Sequence, residues 1–181
     1  MYQLRVTLQD IGPEVWRRVL VPGELTLREL HWVVQTVMGW TNSQTHVFSI
    51  GKKTFSDLEM EVKHARDEAK ARLAKVAPKA GRSFEYEYDP RDHWTHTLEV
   101  ESIVAEDQRY PGHPVCLAGE CACPPENCGG VSGYYELLKA LANPNHPGHK
   151  DAVLRVGEKF DPRMFYLEGV NRSLRQGWGR R

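Results

Sequence analysis

The sequence predicts an α+β fold, a single domain with a mostly antiparallel sheet and helices packed on one face. Three observations predict it. Short runs of alternating hydrophobicity occur in pairs joined by turn residues, as in hairpins. One segment between them has helical spacing with start and stop signals at its ends. Strand–strand–helix–strand, then a second hairpin and further helices, matches a sheet with segregated helices rather than repeated βα units. The opening, ββαβ in order, resembles the start of a β-grasp fold.

Tyr2, Leu4, Val6 and Leu8 alternate and predict a first strand with one apolar face. Gly12-Pro13 marks a turn, and Val15, Arg17, Val19 and Val21 share one side of a second strand, with Trp16 on the other. Thr26 and Glu29 form a capping box, and Leu25 and Leu30 flank it as a hydrophobic staple. Leu27, Leu30, Val34, Val37 and Met38 recur at helical spacing, and Gly39 stands where a left-handed residue ends a helix. A helix from Leu27 to Met38 follows, with His31 and Trp32 beside its buried stripe in packing or rim roles. His46, Phe48 and Ile50 predict a third strand.

After Gly51 the chain becomes rich in charge. Val62, Ala65, Ala69, Leu73 and Val76 give a thin apolar stripe, and Glu59–Lys63 and Glu68–Arg72 are i,i+4 pairs. This predicts a largely exposed helix, its charges solvated, closed by Pro78 and Gly81. Phe84, Tyr86 and Tyr88 alternate with acidic residues in a strong strand pattern that Pro90 stops. Residues 93–104 supply its hairpin partner, with Trp94, His96, Leu98 and Val100 on one side. A helix over 134–142 and a turn or two over 151–156 come next. Asp161-Pro162 reads as the N-cap and first residue of a last helix. The domain is expected to span 1–176, with the basic stretch RSLRQGWGRR frayed and 177–181 a flexible tail.

Lys plus Arg and Asp plus Glu are each 24, so no global basic field for nucleic acid exists. No apolar run approaches the ~20 residues that span a bilayer, and MYQLRVTLQD lacks the character of a signal peptide. The expected compartment is the cytoplasm, where clustered cysteines favour metal or free thiols over disulfides. All four cysteines, Cys116, Cys121, Cys123 and Cys128, fall in one Pro- and Gly-rich stretch.

PEVWRRVLVP, TLRELHWVVQTVMGW, HVFSI, FEYEYDPRDHWTH, CLAGECACPPENCGG and FDPRMFYLEGVN follow one another in this order. Together they resemble the plasmid pRiA4b ORF-3-like family over nearly the whole chain, which implies a fold more than a function. The chain departs from the family pattern at Pro90-Arg91, at Gln44 in place of a histidine, and at Cys121 in place of a basic residue. A role needing all four thiols is thus not a family trait.

Three groups of residues could carry chemistry. Cys116, Cys121, Cys123 and Cys128 could hold structural zinc, or three of them with His96 or His113, although their spacing is not that of a zinc knuckle. The alternative is a stiff loop with small buried thiols. Asp89, Asp92 and His96 around Trp94 could bind a divalent metal or do acid–base work, or could simply build the strand turn. Trp16, Arg17 and Arg18 with Arg172, Arg175, Arg180 and Arg181 could form a basic patch for single strands. The leading expectation is a non-catalytic binding or interaction module with an unknown protein or nucleic-acid partner and zinc as its one candidate cofactor. A metal-assisted hydrolase or nuclease at Asp89, Asp92 and His96, and a nucleic-acid-binding accessory protein of mobile elements, are the alternatives.

Overall fold

In the computed structural model, which describes residues 1–105 and 110–178, β1 (Tyr2–Leu8) and β2 (Trp16–Val21) form the opening antiparallel hairpin. The residues that alternate in sequence are the buried ones, including Leu4, Val6, Val19 and Val21 at 0% exposure. α1 (Leu27–Met38) begins with the expected capping box. Thr26 Oγ1 accepts the Glu29 amide, and the Glu29 carboxylate accepts the Thr26 amide at 2.8 Å. Gly39 ends the helix at φ 87°, a left-handed angle that a Cβ would make costly.

β3 (His46–Ile50) turns through Gly51 into β4 (Lys53–Ser56), and a two-residue β5 (Arg66–Asp67) lies parallel to β4. A short α2 (Leu73–Val76) leads to the hairpin of β6 (Ser83–Tyr88) and β7 (Trp94–Ile103), and β8 (Val115–Glu120) follows. The eight strands order as β5-β4-β3-β6-β7-β1-β2-β8, antiparallel except at β4–β5. One face of the sheet is buried, and α1 lies against it through Val37, His31 and Gln35. α3 (Gly130–Ala142), α4 (His149–Val156) and α5 (Leu167–Trp178) complete the chain, with α5 packed against β8 and α1. No helix among the described residues is long and apolar enough to cross a membrane.

Three expectations are corrected. The charged stretch after Gly51 is not a long helix. Glu61 and His64 take positive φ, Asp57 and Asp67 cap single turns, and only Leu73–Val76 is α-helical. Backbone pairing to α1's entry dictates this path: Leu27 donates to Ala71 and Leu73 to Leu25. The second correction concerns Asp161, which caps a turn at the Arg163 amide (2.9 Å), not a helix; α5 starts at Leu167. The intervening loop is needed to cross the sheet's end, where Ala122 donates to the Pro162 carbonyl. Third, the supposed frayed segment is helical to Trp178, because Leu174 is fully buried and Trp178 lies 5.9 Å from Trp32. The last three residues of the expected tail, 179–181, lie outside the described residues.

β8 ends the sheet, and α5 caps its outer edge at Cys116. The Asn171 side chain on α5 accepts from the Cys116 amide and donates to the Cys116 carbonyl, both at 2.8 Å. A carboxamide here takes the place of a ninth strand's backbone.

Candidate functional site

The cysteine stretch is organised around Arg17. Its guanidinium, 2% exposed, donates to the carbonyls of Val37, Trp16, Glu120 and Cys121 at 2.7–2.9 Å and lies 4.0 Å over the Phe165 ring. Burial lowers its pKa, an effect opposed by the neighbouring Cys123, Cys116 and Cys121. Burial also pushes the thiols up, Cys116 and Cys128 to about 11 and Cys123 further. All four cysteines are free.

The expected zinc site is therefore not supported by this arrangement. A Zn²⁺ among these thiols would share its surroundings with a buried cation, and tetrahedral coordination needs thiolates. Among the described residues no three His, Cys, Asp or Glu side chains are grouped as metal ligands. Neither alternative ligand helps, since His113 bonds the Pro114 carbonyl and lines a cleft by α5, and His96 is sealed in the core. Gly133 shows how tight the loop is, as a Cβ there would stand 1.9 Å from the Cys128 carbonyl oxygen.

Asp89, Asp92 and His96 do not converge. Asp89, buried at φ 54°, accepts the Arg91 amide at 3.1 Å. Asp92 accepts the Gly129 amide at 3.2 Å and so ties the turn to the Pro-Pro-Glu-Asn loop. His96 donates Nδ1–H to the Tyr86 carbonyl at 3.2 Å and stands edge-on to Trp40, 5.2 Å away. Burial drives its pKa down to about 4, so the ring is neutral at physiological pH.

The basic patch dissolves too. Arg17 is buried, Arg18 pairs with both carboxylate oxygens of Glu101 at 2.6 and 2.7 Å, and Arg5 pairs with Glu14. Arg5 and Arg18 lie 4.1 and 5.4 Å from the Trp16 ring, occupying the face that a base would need. Arg172 and Arg175 line a separate cleft of about 550 Å³ with Leu167 and Pro111. Arg180 and Arg181 lie outside the described residues.

What the structure does bring together was not foreseen as a site. His31 from α1 and His46 from β3 stack with centroids 3.5 Å apart and planes within 8°. The hydrogen bonds fix the tautomer of His31 step by step. Gln35 Oε1 accepts the Asn42 amide at 2.9 Å, so Gln35 Nε2 must donate to Tyr86 OH, also at 2.9 Å. The Tyr86 hydroxyl then gives its own hydrogen to His31 Nδ1 at 2.8 Å. His31 is left to donate Nε2–H to Asn42 Oδ1 at 2.7 Å. Burial pushes the Tyr86 phenol well above its ordinary pKa, consistent with a hydroxyl that donates.

His46 takes a different partner. Its Nε2 lies 2.7 Å from Glu68 Oε2, both residues being almost wholly buried, while Glu68 Oε1 lies 3.8 Å from Arg28 Nε. Arg28 reaches on to Asp57 at 2.9 Å. His46 Nδ1, by contrast, has no hydrogen-bond partner among the described residues. A cleft of about 200 Å³ opens over this cluster, lined by Arg28, Trp32, Asp57 and Met60 together with His31, Gln35, Asn42, His46 and Glu68. Glu68 was hidden by the predicted helix, in which it pairs with Arg72. Its sequence neighbourhood gave no sign of burial, whereas His31 beside a helix stripe and His46 on a buried strand face were visible signals.

An α+β protein with a buried imidazole–carboxylate cluster under a small cleft is thus defined. The chain belongs to the plasmid pRiA4b ORF-3-like protein family, whose sequence profile matches residues 1–169. It is 32% identical to the uncharacterized protein y4hQ of Sinorhizobium fredii over 179 residues, 95% of this chain and 89% of the relative. It is also similar to the crystal structure of MM3350 from Methanosarcina mazei Go1, described as a protein of unknown function. That match has a TM-score of 0.82 and 31% identity, covering 92% of this chain and 95% of the other.

Proposed function

We propose that this protein is a non-catalytic binding module whose ligand site is the cleft over the His31–His46 stack. One observation carries the reading: buried polar groups of three segments, His31 and Gln35, His46, and Glu68, line an open cleft there, and one buried atom among them, His46 Nδ1, has no partner among the described residues. Proton-transfer catalysis needs groups free to give or take a proton, and His46 Nδ1 is the single buried nitrogen left uncommitted among the described cleft residues. His31, Gln35, Asn42 and Tyr86 are instead committed to one another, an arrangement that holds a shape. The hydrolase alternative has less support, because Asp89 and Asp92 are tied to backbone amides and His96 is enclosed. The nucleic-acid alternative is weakened by the pairing of Arg5 and Arg18 with carboxylates.

The test is a fragment screen by NMR on uniformly ¹⁵N-labelled protein. Hits should concentrate their shift changes on the His31 and His46 rings and the Gln35 and Asn42 amides. Hits confined to the cleft beside α5, or an absence of hits at the histidine cleft, would overturn the assignment.

A further inference from the structure

The histidine cleft has a chemical preference that can be argued from its valences and charges, an argument that rests on the binding reading above. His46 Nε2–H is committed to Glu68, because an ionised carboxylate can only accept. Nδ1 is then either a bare lone pair or a second N–H. A second N–H would be a buried donor with no acceptor among the described residues, on an imidazolium pressed 3.5 Å against the face of His31. The lone pair is the less costly state. An incoming ligand therefore completes the site by donating a hydrogen bond to Nδ1.

Charge narrows the class further. Among the described residues lining the cleft, Asp57 and Glu68 are carboxylates and Arg28 is the one guanidinium. Among the described residues, carboxylates thus outnumber guanidinium groups in the lining by two to one. Arg28 already pairs with Asp57 at 2.9 Å and lies 3.8 Å from Glu68, so an anion would have to compete with both carboxylates for it. Trp32 and the Met60 thioether supply the apolar part of the wall, and an indole is the aromatic surface best suited to a cation.

We propose that the cleft takes a small organic ammonium, which donates an N–H to His46 Nδ1 and leaves its charge beside Asp57 and Glu68. Benzylammonium, benzyl alcohol and benzoate, which share a ring and differ in the donor group, are the probes. Each would be titrated into the full chain with ¹⁵N-labelled histidine, reading the His46 Nδ1 resonance and the saturation of the shifts. The expected result is saturable benzylammonium binding with a displaced Nδ1 resonance, at least tenfold tighter than benzoate. His46→Phe, which keeps a stacking ring and removes the acceptor, should weaken it at least tenfold.

Should that variant fail to fold with Glu68 stranded, the Nδ1 displacement in the unaltered protein decides the question. Benzylammonium binding in the cleft with Nδ1 unmoved would overturn the proposal. Benzoate or benzyl alcohol binding there as tightly would overturn the ligand class while leaving the cleft as the binding site. No shift at the cleft with any probe would overturn both.

Discussion

Lowering the pH should destabilise this protein through His96, and the size of the effect follows from its burial. The ring is wholly enclosed, and its pKa falls from 6.5 to about 4 in the folded chain. Between those values the unfolded chain binds a proton that the native state refuses, so stability rises with pH across the window. The contribution is fully present above pH 6.5 and is lost as pH falls through 4. A difference of this kind amounts to about 3 kcal/mol in total, with about 2 kcal/mol gone by pH 5.

Carboxylates titrate over the lower part of the same range, so the effect must be isolated by difference. His96→Asn keeps a donor for the Tyr86 carbonyl but has nothing to protonate. Urea unfolding of both proteins at pH 7.5, 6 and 5 should show the unaltered chain losing about 2 kcal/mol more than the variant. Parallel losses within ~0.5 kcal/mol would refute the reasoning, whatever the variant's absolute stability.

Other perturbations have equally definite outcomes. Arg17→Lys keeps the charge but cannot span four carbonyls, and should cost about 3 kcal/mol in urea unfolding while speeding thiol labelling. Glu68→Gln leaves His46 without its carboxylate and should cost about 2 kcal/mol, with faster amide exchange through residues 57–71 as the local signature. With Cys116 and Cys128 near 11, only about one thiol in a thousand is ionised at pH 8. Labelling by a thiol reagent should therefore be slow in the native state and complete in denaturant. Gly133→Ala forces a Cβ into the Cys128 carbonyl and should cost about 3 kcal/mol by thermal or urea unfolding.

The fold was legible where local chemistry and burial agree. The alternating hairpins and the capped helix at Leu27–Met38 could be read directly, because each residue's neighbours in sequence determine its role there. The stretch after Gly51 could not, because its helical pattern competes with pairing to α1's entry, and non-local hydrogen bonds win. The site failed to show for the same reason. His31, His46, Glu68 and Tyr86 come from four distant segments, and none of them is a motif alone. Arg17 was visible as a charge among apolar residues on a buried face. It was nevertheless read as part of a basic patch, and the structure instead buries it among carbonyls. The cysteine spacing drew attention to zinc, when the ordering element was this arginine one strand away.

Asn171 has a consequence for the protein's behaviour in a crowd. Chains with no net charge do not repel one another, and exposed strand edges are where such chains join. At one end of this sheet the terminal strand is only Arg66–Asp67, too short to template another molecule. At the other end, one carboxamide on α5 completes the ladder at Cys116. The sheet is finite because a side chain terminates it. Asn171→Leu should open the ladder at Cys116 to extension by copies of the chain, read as concentration-dependent aggregation by light scattering.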